Sequence, residues 1–297
     1  MQIPKGGVAF FDSGIGGLTV LSACEKQLSD GLFYYYGDNH HAPYGNLPFK
    51  KIRKYVFKAF KQFKRLRVSA AVIACNTATA ICVEGLRKKY SFPILGAEPA
   101  VYTAAKNGGK VLVLATKATC QSPRFKRLCE KASNDFPHAE ICIRECPGLA
   151  EDVERNVHTL GYDFTSHLPR ERADAVVLGC THYIYIVEQI KRYYGCPVYD
   201  GNEGIARRLT EILGTDEGWV KNRDWQPLDE KKDKKMGCVT TKAGDRAECQ
   251  KLTNKRSQKM PKKYVKTAVS PTVFFLGKQR EYNQKVHEQM FVWLKRV

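Results

Sequence analysis

Two stretches decide how this chain is read: residues 70–78, AAVIACNTA, and residues 175–183, AVVLGCTHY. In each, an apolar β-prone run ends in a small residue and is followed by a cysteine, Cys75 or Cys180, and then by short polar side chains. Such a run, flanked by helical patterns, predicts a strand buried on both faces, as in a parallel sheet. Each cysteine then stands at a strand's carboxyl end, where open α/β sheets place their ligands. Asn76 and Thr77, and Thr181 and His182, are groups suited to capping a helix or gripping a carboxylate. The same device occurs twice, with one thiol per copy.

Two thiols facing one another across a cleft suit one chemistry in particular. Inverting a carbon centre requires removal of a proton from one face and delivery to the other, so an acid and a base of the same type serve both directions. A free thiol titrates near about 8.5, and positive charge or a helix N-terminus lowers that value, so one cysteine can be thiolate while the other holds its proton. The competing reading is that both cysteines pack as small hydrophobes, the commoner fate of a free cysteine.

Outward from these stretches, the first strand is predicted at residues 7–11 (GVAFF), followed by Asp12, Ser13 and the glycine-rich turn GIGG before a helix. Glycines there let backbone amides approach an anion. The turn matches neither a P-loop nor GxGxxG. Asp12 beside it is suited to handling a proton or a cation, or to forming the turn. A second strand at residues 32–36 leads into GDNHHAPYG, a loop whose Asp, His and Tyr suit ligand contact. A basic helix over 52–63, a helix over 78–88 and a short strand at 94–96 complete the first half.

A second unit opens at Lys110. Its strand at 111–114 turns through ATKAT into a helix, in the place that 12–17 hold in the first unit. Further strands are expected at 141–146, 175–179 and 198–200, with a helix from Pro147 to Asn156 bearing Glu151, Asp152 and Glu154, and another entered at Glu203. Acids near a helix start ordinarily serve the dipole. Residues 215–260 lose periodicity and read as a loosely packed insert before a final strand at 272–276 and an amphipathic helix at 281–296. The expected architecture is α/β: two pseudo-symmetric domains with parallel central sheets and the site in the cleft between them. The first domain takes 1–97 plus 208–297, the second 98–207.

Composition narrows the functional classes. The 297 residues are 43% hydrophobic, with no apolar stretch near the roughly 18 residues a membrane span needs and no signal-peptide pattern, so a cytoplasmic location is expected. Eleven cysteines in a long chain of this kind read as reduced thiols, and without CxxC or HExxH no metal site and no cofactor is expected. The net charge of +19 comes from 49 basic and 30 acidic residues spread along the chain without a nucleic-acid-binding motif. It reads as a solvated surface that also attracts an anionic substrate, and nucleic acid is not an expected partner.

With these residues assembled, the chain resembles the glutamate racemases of the cofactor-independent aspartate/glutamate racemase superfamily. FDSGIGGLTV at 11–20, GDNHHAPYG at 37–45, ACNTA at 74–78 and LGCTHY at 178–183 carry the resemblance, extended by VLVLATKATCQS and the helix with Glu154. It implies interconversion of L- and D-glutamate, supplying D-glutamate for peptidoglycan and cell-wall synthesis, with a homodimer as one open assembly. Carried over by position, it implies Cys75 as the thiol acting on the D enantiomer, assisted by Asp12, and Cys180 as the thiol acting on the L, assisted by His182 and Glu154. Substrate contacts map to Asp12, Ser13, Tyr44, Gly45, Asn76, Thr77, Thr116, Thr119, Thr181 and His182. Two segments depart from the pattern. Asn39, His40, His41 and Ala42 replace the usual Thr or Ser, Ala, Arg and Val, and Ile184 and Tyr185 follow LGCTHY in place of Pro and Leu. An aspartate racemase or other relative, or a basic nucleic-acid or regulatory protein on the same fold, are the alternatives.

Overall fold

The computed structural model describes residues 6–28 and 33–214, and the backbone of 273–275. The first unit runs β1 (Val8–Asp12), α1 (Gly17–Gln27), β2 (Phe33–Gly37), α2 (Phe49–Arg65), β3 (Ala70–Ile73), α3 (Asn76–Lys89) and β4 (Ile94–Gly96). After α4 (Val101–Ala105) the second runs β5 (Gly109–Ala115), α5 (Lys117–Gln121), α6 (Pro123–Asp135), β6 (Ala139–Glu145), α7 (Leu149–Asn156), β7 (Ala175–Gly179), α8 (Val187–Tyr194) and β8 (Val198–Tyr199). α9 (Asn202–Leu213) follows and packs on α1, and β9 (Val273–Phe275) pairs in parallel with β2.

The two sheets repeat one topology. Their orders are β4-β3-β1-β2-β9 and β6-β5-β7-β8, all parallel. Leaving β9 aside, each reads 2-1-3-4 in its own count of strands. The chain leaves the first strand toward one edge and the third toward the other, so a crevice opens at the carboxyl ends between them. Asp12 and Cys75 flank that switch point in the first sheet, Thr116 and Cys180 in the second. The duplicated architecture is thus borne out by strand order, although the halves share little sequence.

Both cysteine strands are buried throughout, as their unbroken apolar runs predict. Phe11 pairs in register with Ile73, and Ala74 donates its amide to the Phe11 carbonyl at 2.8 Å, which brings Asp12 level with the residues leading to Cys75. One apolar cluster runs from Val8, Phe10 and Leu18 through Leu114, Leu149 and Val153 to Leu178 and Tyr185, so the two units share a core. On the other face of the first sheet, α2 buries Ile52, Val56, Phe60 and Phe63 while its lysines stay exposed. Each such apolar side chain contributes about 1.5–3 kcal/mol of burial, which fixes the helix despite its charge. Among the described residues, no helix is long and apolar enough to cross a membrane. The nine described cysteines are free thiols. The segment at 215–260 and the helix expected at 281–296 lie outside the described residues.

Candidate active site

Cys75 is the N-cap residue of α3, and its sulfur accepts the Ala78 amide at 3.4 Å. Of the two roles open to Asn76 and Thr77, capping a helix or gripping a carboxylate, the first falls to the Cys75 thiol, which sits at the last extended residue before the helix. Ser13 Oγ lies 3.5 Å from the same sulfur. Cys180 has different surroundings. Its strand leads into a 3-10 turn, Thr181–Ile186, before α8, and its sulfur lies 3.7 Å from His182 Nδ1. The two cysteine turns are equivalent in topology but not in local geometry. The tighter turn aims His182 Nε2 at Glu154 and lets Tyr185 donate its hydroxyl to the Ile15 carbonyl at 2.8 Å.

Glu154 joins the halves. Besides His182, it accepts the Ile15 amide at 3.3 Å and Asn39 Nδ2 at 3.2 Å, both from the first unit. The glycine-rich turn after β1 does present backbone to an anion, but the anion is this carboxylate from α7. A Cβ at Gly14 would lie 2.5 Å from Glu154 Oε2, and one at Gly16 would collide with Thr181. Close approach of the second unit is therefore what these glycines permit. Glu151 and Asp152 do lie in the first turn of α7, where acids serve the dipole, but Glu154 does something else.

Asp12 is fully buried, accepts the Gly14 amide at 2.9 Å and accepts the Thr181 hydroxyl at 3.2 Å. Thr77, Thr116 and Thr119 form a closed triangle of hydroxyls with oxygens 2.9, 3.1 and 3.0 Å apart, again linking the units. Thr116 also caps α5. Tyr44 donates to Asp38, and a Cβ at Gly45 would meet the Thr116 side chain at 3.0 Å. Asn76 shares a crevice with Cys180 and Thr181. The residues expected at the site thus form one cluster at the junction of the sheets. Cys75 and Cys180 are 5% and 8% exposed, which leaves both close to water-free surroundings.

Electrostatics separate the two thiols. Burial pushes the Cys75 thiol up to about 12, with the Asp12 charge adding to it and the Ser13 and Ala78 donors opposing. The expected depression by a helix N-terminus is present there but is outweighed. Burial alone would lower His182, but its contacts with Cys180 and Glu154 and their charges hold it well above the ordinary histidine value. That direction favours the imidazolium, in which both ring nitrogens are donors. Burial raises Asp12 to about 6 against the pull of His182, the Gly14 amide and the Thr181 hydroxyl, with the Glu154 charge adding to the rise.

Asn39 and Tyr185 were not among the predicted site residues. Both fall where the chain departs from its resemblance, and that departure was the one available signal.

Comparison with known proteins agrees with this fold. Residues 22–209 match the Asp/Glu/Hydantoin racemase family. A glutamate racemase of Clostridium acetobutylicum is 34% identical over 240 residues, covering 74% of this chain and 92% of the relative. Another from Clostridium novyi is 35% identical over 243 residues, with 78% and 90% covered. The crystal structure of Escherichia coli glutamate racemase in complex with L-glutamate and the activator UDP-MurNAc-Ala superposes with a TM-score of 0.63 at 31% identity, covering 71% of this chain and 83% of that one. That of isoform RacE1 from Bacillus anthracis gives 0.60 at 31% identity, with 70% and 81% covered. Matched by the family over more than half its length, and similar to these enzymes over most of theirs, the chain belongs to the Asp/Glu/Hydantoin racemase family.

Proposed function

We propose that this protein interconverts L- and D-glutamate without a cofactor, by two-base proton transfer at the α-carbon between Cys180 and Cys75. The observation that carries the reading is the pairing of two chemically unequal thiols at equivalent switch points of the two sheets. Cys180 has an imidazolium at its sulfur and serves as the base for the L enantiomer. Cys75, held up near 12, keeps its proton and delivers it to the opposite face.

The reverse direction requires Cys75 to ionise. Asp12, titrating near 6, is ionised at neutral pH and accepts a proton there, and the substrate's ammonium group brings the positive charge that favours a thiolate. The α-proton of an amino acid is very weakly acidic, so the developing carbanion must be met by aimed donors in a water-free space. Ser13 and Asn76, with the hydroxyls of Thr77, Thr116 and Thr119 once they turn from one another to the substrate, provide donors for two carboxylates, while Thr181 holds Asp12 and Tyr44 and Gly45 close that side.

Glutamate as substrate is supported by the glutamate racemases to which the chain is similar, and we propose with it a role in supplying D-glutamate for peptidoglycan in the cytoplasm. We also take 1–97 with 208–297 as one domain and 98–207 as the other; the pairing of β9 with β2 supports the chain's return. The test is circular dichroism of purified protein with L-glutamate and, separately, L-aspartate. The glutamate signal should decay to zero, the equal mixture, with aspartate far slower. No decay with glutamate, or a faster one with aspartate, would overturn the assignment.

A further inference from the structure

We infer that Asn39 is a positioning residue for the Cys180 side of the reaction: from the loop of the first unit, it fixes the Glu154 carboxylate that orients His182 against the sulfur. The inference rests on the two-thiol reading above. The contacts form one chain across the junction. Asn39 Nδ2 donates to Glu154 Oε1 at 3.2 Å, Glu154 Oε2 receives His182 Nε2, and His182 Nδ1 faces Cys180 at 3.7 Å.

The amide's direction follows from chemistry. A carboxylate only accepts, so the NH₂ end of Asn39 must face it. The other end lies over Gly37, where a Cβ would come within 2.5 Å of Asn39 Oδ1. The loop is itself anchored. Asp38 donates its amide to the Asp12 carbonyl at 3.0 Å, and its carboxylate holds His41 at 2.9 Å while receiving the Tyr44 hydroxyl. The His41 ring stacks on Tyr55 of α2 with centroids 3.8 Å apart. Asn39 is therefore presented to Glu154 from a braced turn.

A neutral amide donor suits the place. It restricts the carboxylate's rotation but leaves its charge intact for His182, which a lysine or arginine would partly cancel. With Oε1 held by Asn39, Oε2 is left for the imidazole and the Ile15 amide.

The experiment uses Asn39→Ala and the isosteric Asn39→Asp, each with its thermal melt, in racemisation of α-deuterated L-glutamate and α-deuterated D-glutamate. Loss of a hydrogen bond to a charged group should lower turnover about tenfold in the Ala variant. Asn39→Asp, which sets a second carboxylate beside Glu154, should lower it further. The distinguishing readout is the primary isotope effect. Weakening Cys180 makes its step more rate-limiting, so the effect should rise with L-glutamate, whose deuteron Cys180 removes, and fall with D-glutamate. Wild-type turnover with isotope effects in the variants that stay unchanged, or that move equally for both enantiomers, would overturn the inference alone. A wild-type protein that does not racemise glutamate would overturn it together with the reading on which it rests.

Discussion

Thr181 donates its hydroxyl to Asp12 across the junction of the two sheets, with the oxygens 3.2 Å apart. The turn that carries Cys180 is thereby tied to the carboxylate beside the Cys75 turn. The bond lowers the Asp12 pKa, opposing the larger effect of burial. Replacing Thr181 with isosteric Val removes the donor, so Asp12 should titrate higher. The acid limb of the activity profile, expected near pH 6 in the wild-type protein, should move to higher pH, and kcat/KM at neutral pH should fall by about 1.5–3 kcal/mol in transition-state terms. A pH profile of kcat/KM measures both.

Asp12 also has a cost for folding. Its pKa is raised from 3.8 to about 6, so the folded protein binds more protons than the unfolded chain between those values. Stability therefore falls as pH rises through that window, by an amount on the order of 2–3 kcal/mol. Asp12→Asn removes the effect. The variant should gain stability relative to wild type between pH 4 and pH 7 while losing activity, a difference that denaturant melts at the two pH values would register.

Gly14 and Gly16 should each fail through a different neighbour. A methyl at Gly14 meets the far end of the Glu154 side chain, which can swing away. Gly14→Ala should lower turnover at least tenfold, because the displaced carboxylate no longer holds His182, and should also cost about 1–3 kcal/mol of stability, because that histidine is left buried without its acid partner. A methyl at Gly16 meets Thr181 Cβ at 2.8 Å and the His182 backbone at 2.9 Å, which cannot move alone. Gly16→Ala should cost about 1–3 kcal/mol of stability. Melts and turnover of the pair test the contrast.

Much of the fold was legible because β3 and β7 are short apolar runs closed by small residues, a pattern that burial on both faces demands. Helix limits were less so. The helix read from Ala78 begins at Asn76, since Cys75 supplies the cap. At the site, residue types located Asp12, Cys75 and Cys180, whereas the roles of His182 and Glu154 came only from the resemblance: by residue type alone Glu154 reads as a dipole-serving acid, and its contacts with the first unit are not encoded locally. Asn39 and Tyr185 matter through partners more than a hundred positions away, Glu154 and Ile15, and no local pattern encodes such a pairing. The glycine-rich turn was legible as an anion-facing element, but not that the protein itself provides the carboxylate.

In the proposed reaction, two sulfurs act on opposite faces of one carbon. Racemisation of L-glutamate in deuterium oxide by the wild-type protein, Cys75→Ser and Cys180→Ser tests it most directly. The wild-type protein should form D-glutamate carrying a solvent deuteron at the α-carbon, and each single variant should lose at least about a hundredfold of that turnover. Turnover at the wild-type rate in either variant would contradict the account.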